Sequence, residues 1–348
     1  MLDPGVLCRP TVSILEAMER LNALPAPKYI LVIDESRRLL GTVTDGDIRR
    51  AILRGVQLSS PVTSCMNASP IVAPSDQRRQ ASRLLKDNGV TFVPLLDRMS
   101  VVVDVVTQIL TRPVDVAVVL MAGGLGTRLR HRTANTPKPL LQIAGKPILQ
   151  RIVERVEASG FRTIYIAVNY LAEQIIEFFE TFPPKQANIH FLRESKRLGT
   201  AGPLSLLPTR PHGPILVANA DLITETDFEA FLQFHSDHGY EATVGAALHM
   251  VDIPYGVIDC DQDGLIRSIK EKPRVDYLVN AGIYLLNPAV WDLIPSDIYI
   301  DMPEVLSRAM ECGQKIGAFP IHEYWIDIGR QRELAQAERD WSEDVPAE

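Results

Sequence analysis

Val116-Ala117-Val118-Val119-Leu120-Met121 runs without a break into Ala122-Gly123-Gly124-Leu125-Gly126-Thr127-Arg128-Leu129. Six apolar residues with no polar alternation read as a strand covered on both faces, the kind found inside a parallel sheet. The turn that follows removes Cβ atoms from backbone that must come close to a ligand, and its successive N–H groups can cradle phosphate oxygens. No Gly-Lys-Ser/Thr closes the turn, so it is not a P-loop, and its spacing departs from Gly-x-Gly-x-x-Gly, which argues against a nicotinamide-binding oxidoreductase. Beyond Arg128 come Pro137-Lys138-Pro139-Leu140 and then Gly145-Lys146-Pro147-Ile148. A lysine locked between two prolines beside a glycine-rich turn is a far more restrictive pattern than the turn alone.

Further strands are expected at Thr163–Val168, Ile189–Leu192, Ile215–Ala218, Ala242–Ala247 and Ala281–Leu286, with helices at Leu149–Ser159, Ala172–Phe179 and Phe228–Asp237. Alternating strands and helices predict an α/β domain with a Rossmann-like, mainly parallel sheet. In such sheets ligands bind beyond the carboxyl ends of the strands, so the residues that follow each strand are the candidates for chemistry.

Taken together, the glycine turn, Pro137-Lys138-Pro139-Leu140 and Gly145-Lys146-Pro147 resemble the signature of the sugar-1-phosphate nucleotidylyltransferases. Leu198-Gly199-Thr200-Ala201-Gly202, Asn219-Ala220-Asp221, Tyr255-Gly256-Val257, Glu271-Lys272-Pro273, Asn280-Ala281-Gly282 and Trp325-Ile326-Asp327 follow in the same order as in that family. The resemblance implies a nucleotidyltransferase domain of GT-A-like fold over residues 114–348. It also implies transfer of a nucleotidyl group from a nucleoside triphosphate to a sugar 1-phosphate, with release of pyrophosphate. That reaction needs cations against the transferring phosphate and the leaving group. By resemblance Arg128 and Lys138 supply that charge, and Asp221 and Asp327 hold Mg²⁺, which takes one or two carboxylates and leaves its other positions to phosphate and water. Read without the family, an Asp after a strand is more often a turn former.

The nucleotide is expected along Ala122, Gly123, Gly124, Gly126 and Thr127 and along Gly199, Thr200 and Gly202, and the sugar phosphate at Gly256, Glu271, Lys272 and Asn280. The chain further resembles bacterial guanylyltransferases that activate glucosamine-1-phosphate or mannose-like sugars for surface glycans or nonulosonic acids, which makes GTP the expected donor. A uridylyl- or thymidylyltransferase of the same family and a non-catalytic nucleotide-sensing regulator are the alternatives. One departure is Arg130-His131-Arg132-Thr133, where the family has Arg-x-Pro-Leu-Thr.

Upstream, the order helix, strand, turn, strand, helix occurs over Val12–Arg54 and recurs over residues 63–110, with a period of roughly 50 residues and a closing helix expected at Val105–Leu110. Gly41-Thr42-Val43-Thr44-Asp45-Gly46-Asp47-Ile48-Arg49 resembles the closing motif of a CBS domain, so a CBS pair is expected, with repeats at residues 1–57 and 58–113. The resemblance implies that Thr44 and Asp47 hold the phosphate and ribose of an adenine nucleotide. The plain alternative is that Asp47 caps the following helix. The second repeat lacks a hydroxyl three residues before an acid, so at most one intact nucleotide site is expected.

The 348 residues carry 36 Lys+Arg against 43 Asp+Glu, a net charge of −7, with 46% hydrophobic residues. Residues 1–113 account for +3 and the remainder for −10. Dispersed arginines without interleaved aromatics exclude a nucleic-acid face, and no apolar run reaches the ~20 residues of a membrane span. Four scattered cysteines without C-x-x-C spacing indicate neither a zinc site nor a disulfide framework, and imply a reducing, cytoplasmic setting. A homodimer is expected.

Overall fold

The structure, a computed structural model, describes residues 3–108 and 116–342. The chain divides into two compact units, Met1–Pro113 and Val114–Glu348.

In the first unit one motif occurs twice. Leu7–Cys8 pairs in parallel with Ile30–Ile33, which turns back into antiparallel Leu39–Val43. Ala73–Pro74 pairs in parallel with Phe92–Leu96, which turns back into Val102–Thr107. Helices Ile14–Ala23 and Arg78–Asn88 link the first two strands of each copy. The register irregularity falls between Val32 and Ile33 in one copy and between Leu95 and Leu96 in the other, so the repeat runs at 63 residues and not the shorter period expected. Leu39 N–H donates to Ser100 O at 3.0 Å and Val102 N–H donates to Arg37 O at 3.2 Å. Shifting either bond by one repeat generates the other, the mark of a local two-fold axis. Tyr29 and Phe92, equivalent under that shift, stack with ring centroids 4.4 Å apart.

The helix expected at Val105–Leu110 is not formed as far as Thr107, which ends a strand; residues 109–110 lie outside the described residues. The physical reason is local. A run of β-branched valines fits the pleated surface opposite Phe92–Leu96, whereas the first copy's helix, Asp45–Leu53, is started by Thr44 and Asp47, and the residue one repeat beyond Asp47 is Leu110.

In the second unit, β1 (Val118–Met121), β2 (Thr163–Val168), β3 (Asn188–Arg193), β4 (Ile215–Asn219), β5 (Ala242–Asp252), β6 (Arg274–Leu286) and β7 (Ile316–Ile321) form one sheet, ordered β3-β2-β1-β4-β6-β5-β7. The first four neighbours are parallel, and β6 runs antiparallel to both β4 and β5. Because successive side chains in a strand point to opposite faces, Val118 and Leu120 enter one core and Val119 the other. Helices α1 (Ile148–Ala158), α2 (Ala172–Thr181) and α3 (Phe228–His238) cover the first face, and α4 (Met302–Glu311) covers the second. Strand β1 is therefore buried on both sides.

Strands β5 and β6 run on past the sheet as a two-stranded ribbon on which Leu248, Met250, Tyr277 and Leu278 are exposed, and the hairpin Val257–Cys260 with Ile266–Lys270 follows. Only the buried halves of β5 and β6 carry the apolar pattern of a core strand. No described helix is long and apolar enough to cross a membrane.

Candidate active site

The parallel strands deliver their carboxyl ends to one edge of the sheet. Ala122 N–H continues the ladder to Ala167 O at 2.9 Å and Ala220 N–H to Met121 O at 3.1 Å, so the glycine turn and Asp221 leave the sheet side by side. Just past Asp221, Leu222–Thr224 pairs antiparallel with Trp325–Asp327, with Leu222 opposite Asp327, and Ile328 N–H bonds Asp221 O at 3.1 Å. Ile326 and Ile328 are buried in a subsidiary core with Ile223, Leu129 and Leu141. Strand alternation then turns Asp327 away from that core, toward Asp221.

Lys138 completes the group. Pro137, Lys138 and Pro139 form a tight turn ending in a single 3₁₀ turn, Lys138–Leu140. A Cβ on Gly126 would lie 3.3 Å from Lys138 Cβ, so the glycine turn packs directly on the lysine. Lys138 Nζ donates to Asp221 Oδ2 and stands 3.8 Å from Asp327 Oδ1. Arg128 approaches from the other side: a Cβ on Gly329 would lie 3.4 Å from its Nη1. Burial and the Asp221 carboxylate push the Asp327 carboxyl above the usual range, against the pull of Lys138 and Arg128. Its Oδ1 is closed off from solvent and accepts no hydrogen bond. Two carboxylates, one with an orphaned oxygen, form a hard-oxygen donor set suited to a divalent cation.

Two cavities open beside the two carboxylates, one bordered by Asp221 and the other by Asp327. One, of about 180 Å³, is lined by Gly123, Gly124, Glu194, Arg197, Gly199 and Asp221, among others. The second, of about 330 Å³, is lined by Leu222, Asn280, Gly282, Tyr284, Trp325 and Asp327, among others. Thr200, Asn219 and Asp301 line both. Gly282 has φ +70°, and a Cβ there would lie 2.5 Å from Asn219 Nδ2, so only glycine lets Asn219 sit at the junction. Asn280 Oδ1 accepts from Gly282 N–H at 3.0 Å, which holds that turn. Glu194 forms the far wall of the smaller cavity. Its Oε2 accepts from Leu198 N–H at 3.0 Å, and its Oε1 faces Gly123 so closely that a Cβ there would collide with it. Burial raises the Glu194 carboxyl above its ordinary range.

Of the residues singled out in the sequence, Gly123, Gly124, Gly199, Thr200, Asp221, Asp327 and Asn280 line the two cavities, whereas Lys138 and Arg128 line neither: Lys138 contacts the two carboxylates and Arg128 lies against Gly329. Ala122 and Gly202 are buried behind the cavity wall, and a Cβ on Gly202 would lie 2.8 Å from Ile298 O. Thr127 begins the short helical turn that carries Arg128. Gly256, Glu271 and Lys272 lie in the segments that join the ribbon to the hairpin, outside the lining of either cavity, with Gly256 against Glu271. Glu194, Asn219, Tyr284, Asp301 and Trp325 were not foreseen as site residues. Asn219, Asp301 and Trp325 have in common that they directly end a strand or start a helix or strand at the carboxyl edge of the sheet, a positional signal a sequence carries only once the topology is known.

In the first unit Thr44 and Asp47 form a reciprocal capping box. Asp47 Oδ2 accepts from Thr44 N–H at 2.9 Å and from Thr44 Oγ1–H at 2.7 Å, and Asp47 Oδ1 accepts from Arg50 at 2.6 Å. The helix-capping alternative is thus realised, with Thr44 at the cap position and Asp47 in the first turn.

Residues 117–344 match the family model for nucleotidyl transferases, and residues 1–54 match the model for the CBS domain. The chain is 36% identical over 225 residues to the mannose-1-phosphate guanylyltransferase catalytic subunit beta of Drosophila melanogaster, covering 62% of this chain and 60% of that protein. It is 36% identical over 223 residues to the mannose-1-phosphate guanyltransferase of Schizosaccharomyces pombe, covering 62% and 61%. The chain thus spans about 60% of the length of these curated relatives. Among solved structures, HddC from Yersinia pseudotuberculosis complexed with GMP-PN superposes with a TM-score of 0.51 at 28% identity, covering 65% of this chain and 99% of that one.

Proposed function

The chain belongs to the nucleotidyl transferase family, and from that premise we propose that it transfers a guanylyl group from GTP to a hexose 1-phosphate of the glucosamine or mannose type, releasing pyrophosphate. The observation that carries the reading is Lys138 held against Asp221, which borders the smaller cavity, and near Asp327, which borders the larger one.

In the proposed reaction a sugar phosphate oxygen attacks the α-phosphorus in line; the bond to the β-phosphate breaks, and pyrophosphate carries away the negative charge. Lys138 and Arg128 place cations against that charge. Asp221 and Asp327 would hold Mg²⁺, which would supply positive charge to neutralise phosphate oxygens. The glycine turn and Gly199–Thr200 bind the nucleotide, and Asn280 faces the sugar. Gly256, Glu271 and Lys272 keep their proposed place at the sugar phosphate.

Glu194 supports guanine over the pyrimidines. A carboxylate offers only acceptors, which matches the paired N1–H and N2–H donors of guanine, whereas uracil and thymine present a single N–H flanked by carbonyls. The mannose-1-phosphate guanylyltransferase relatives and the GMP-PN bound to HddC support the same choice. The CBS unit is assigned a regulatory or dimerising role, with Thr44 and Asp47 as its adenine-nucleotide contacts. Four free cysteines suit a cytoplasmic enzyme.

The test is a matrix of GTP, ATP, UTP, CTP and dTTP against glucosamine, mannose and glucose 1-phosphates, read by pyrophosphate release. Turnover with GTP and at least one of the first two sugars is expected. Turnover with only UTP or dTTP would overturn the guanylyl assignment, and none with any pair would overturn the reaction.

A further inference from the structure

Asp301 occupies the cap position of α4, where an aspartate ordinarily accepts from the helix's own first N–H groups. It makes no such bond. Its Oδ1 accepts instead from Thr200 N–H at 2.9 Å and from Thr200 Oγ1–H at 3.2 Å, 101 residues away in sequence, and its Oδ2 accepts from Tyr299 O–H at 3.0 Å. Thr200 Oγ1 in turn accepts from Met302 N–H at 2.9 Å. The two residues have exchanged duties: Thr200 caps α4, and Asp301 holds the loop that carries Thr200.

The surrounding backbone repeats the connection. Ala201 and Gly202 N–H groups both donate to Ile300 O, Ile300 N–H donates to Leu198 O, and Lys196 pairs with Asp297 at 2.8 Å. Gly199 has φ +83°, and a Cβ there would lie 2.4 Å from Ile300 O and 2.9 Å from Asp301 Oδ1, so the segment before α4 requires the glycine in Leu198-Gly199-Thr200 as much as any ligand does. One wall of the smaller cavity is therefore shaped by the segment before α4. Asp301 also lines the larger cavity beside Asn280 and Tyr284, where a carboxylate with unused lone pairs can accept from a ring hydroxyl.

We propose that Asp301 is a positioning residue that fixes the nucleotide loop through Thr200 and presents its second face to the sugar, so that one side chain sets affinity for both substrates. The proposal rests on the assignment of the two cavities to nucleotide and sugar phosphate. It is tested by a double-mutant cycle of Asp301→Ala and Thr200→Val on GTP affinity, measured by calorimetry with GTP alone, beside steady-state kinetics of the full chain. Each single variant is expected to weaken GTP about tenfold, and the double variant no further than the worse single, because both act through one contact. Additive losses, or GTP affinity unchanged in Asp301→Ala, would overturn it.

Asp301→Asn supplies the second readout. Its amide oxygen still accepts from Thr200, so KM for GTP is expected to stay within about threefold while KM for the sugar phosphate rises about tenfold. Equal changes in the two constants, or none, would overturn the proposal, and this variant decides the matter if Asp301→Ala does not fold. Wild-type protein that binds GTP but turns over no sugar phosphate refutes the reaction while leaving the GTP cycle to decide the coupling. Wild-type protein that binds no nucleoside triphosphate refutes both.

Discussion

Lys138 donates to Asp221 Oδ2 while standing 3.8 Å from Asp327 Oδ1, so a single ammonium group joins two carboxylates brought together from strands far apart in sequence. The lysine side chain is only 12% exposed, so its charge acts in a poorly screened setting. Each member of the trio compensates the others. Removing either carboxylate leaves the lysine with a partner, but removes half of the oxygen set proposed for the metal.

Asp221→Asn is therefore expected to lower kcat by about 100-fold or more while leaving the far-ultraviolet dichroism and the thermal midpoint nearly unchanged. Pyrophosphate release measures the first, and a rate close to wild type would remove Asp221 from the machinery.

Chelation offers an independent check on the same pair. EDTA is expected to stop pyrophosphate release and excess Mg²⁺ to restore it, and Asp327→Asn should raise the Mg²⁺ concentration required for half-maximal rate. Full activity in EDTA would show that the two carboxylates serve the reaction without a metal.

Glu194→Gln keeps an acceptor for Leu198 N–H but replaces an acceptor with a donor on the side facing Gly123. KM for GTP is expected to rise about 10- to 100-fold, and the preference for GTP over UTP to shrink with it. An unchanged ratio of kcat/KM for the two nucleotides would show that the base is read elsewhere.

His235 is buried, with Nδ1 2.8 Å from Thr243 Oγ1 and Nε2 3.1 Å from Asn287 Oδ1. Burial holds its pKa below the ordinary histidine value. The unfolded chain therefore binds the proton more readily. The stabilisation from a neutral His235 is fully present above about pH 6.5 and is lost as pH falls below that value toward the depressed one. Urea midpoints at pH 7.5 and 5.5 should show this loss, and His235→Gln should reduce the difference between them. A difference unchanged by the substitution would place the acid sensitivity elsewhere.

In the CBS unit, Thr44→Ala is expected to cost about 1 kcal/mol of stability through loss of the cap, measured by chemical denaturation. Calorimetric titration with AMP and ATP should show binding in wild-type protein that Asp47→Ala abolishes. Equal heats in the two proteins would leave Asp47 as a helix-capping residue and no more.

The local pattern of residues carried much of this molecule. An unbroken apolar run of six residues ending at the turn Gly123-Gly124-Leu125-Gly126 reads as a strand covered on both faces, because exposed strands alternate and a run this short, stopped by glycines, suits a strand better than a helix; the prolines flanking Lys138 fix its turn within three residues. Those signals are short-range, so the sequence by itself determined β1 and the glycine turn and marked out Lys138, whereas Asp221 and Asp327 stood out only through the family resemblance. What it did not determine depends on partners distant along the chain. Val105 and Val106 became strand because Phe92–Leu96 lay opposite; the outer halves of β5 and β6 pair only with each other, without a core to impose alternation; and Asp301, at the cap position of α4, turned to Thr200 once folding had placed that loop within 2.9 Å. A side chain's chemistry belongs to its residue type, but which group it serves is decided by what the tertiary fold sets within hydrogen-bonding distance.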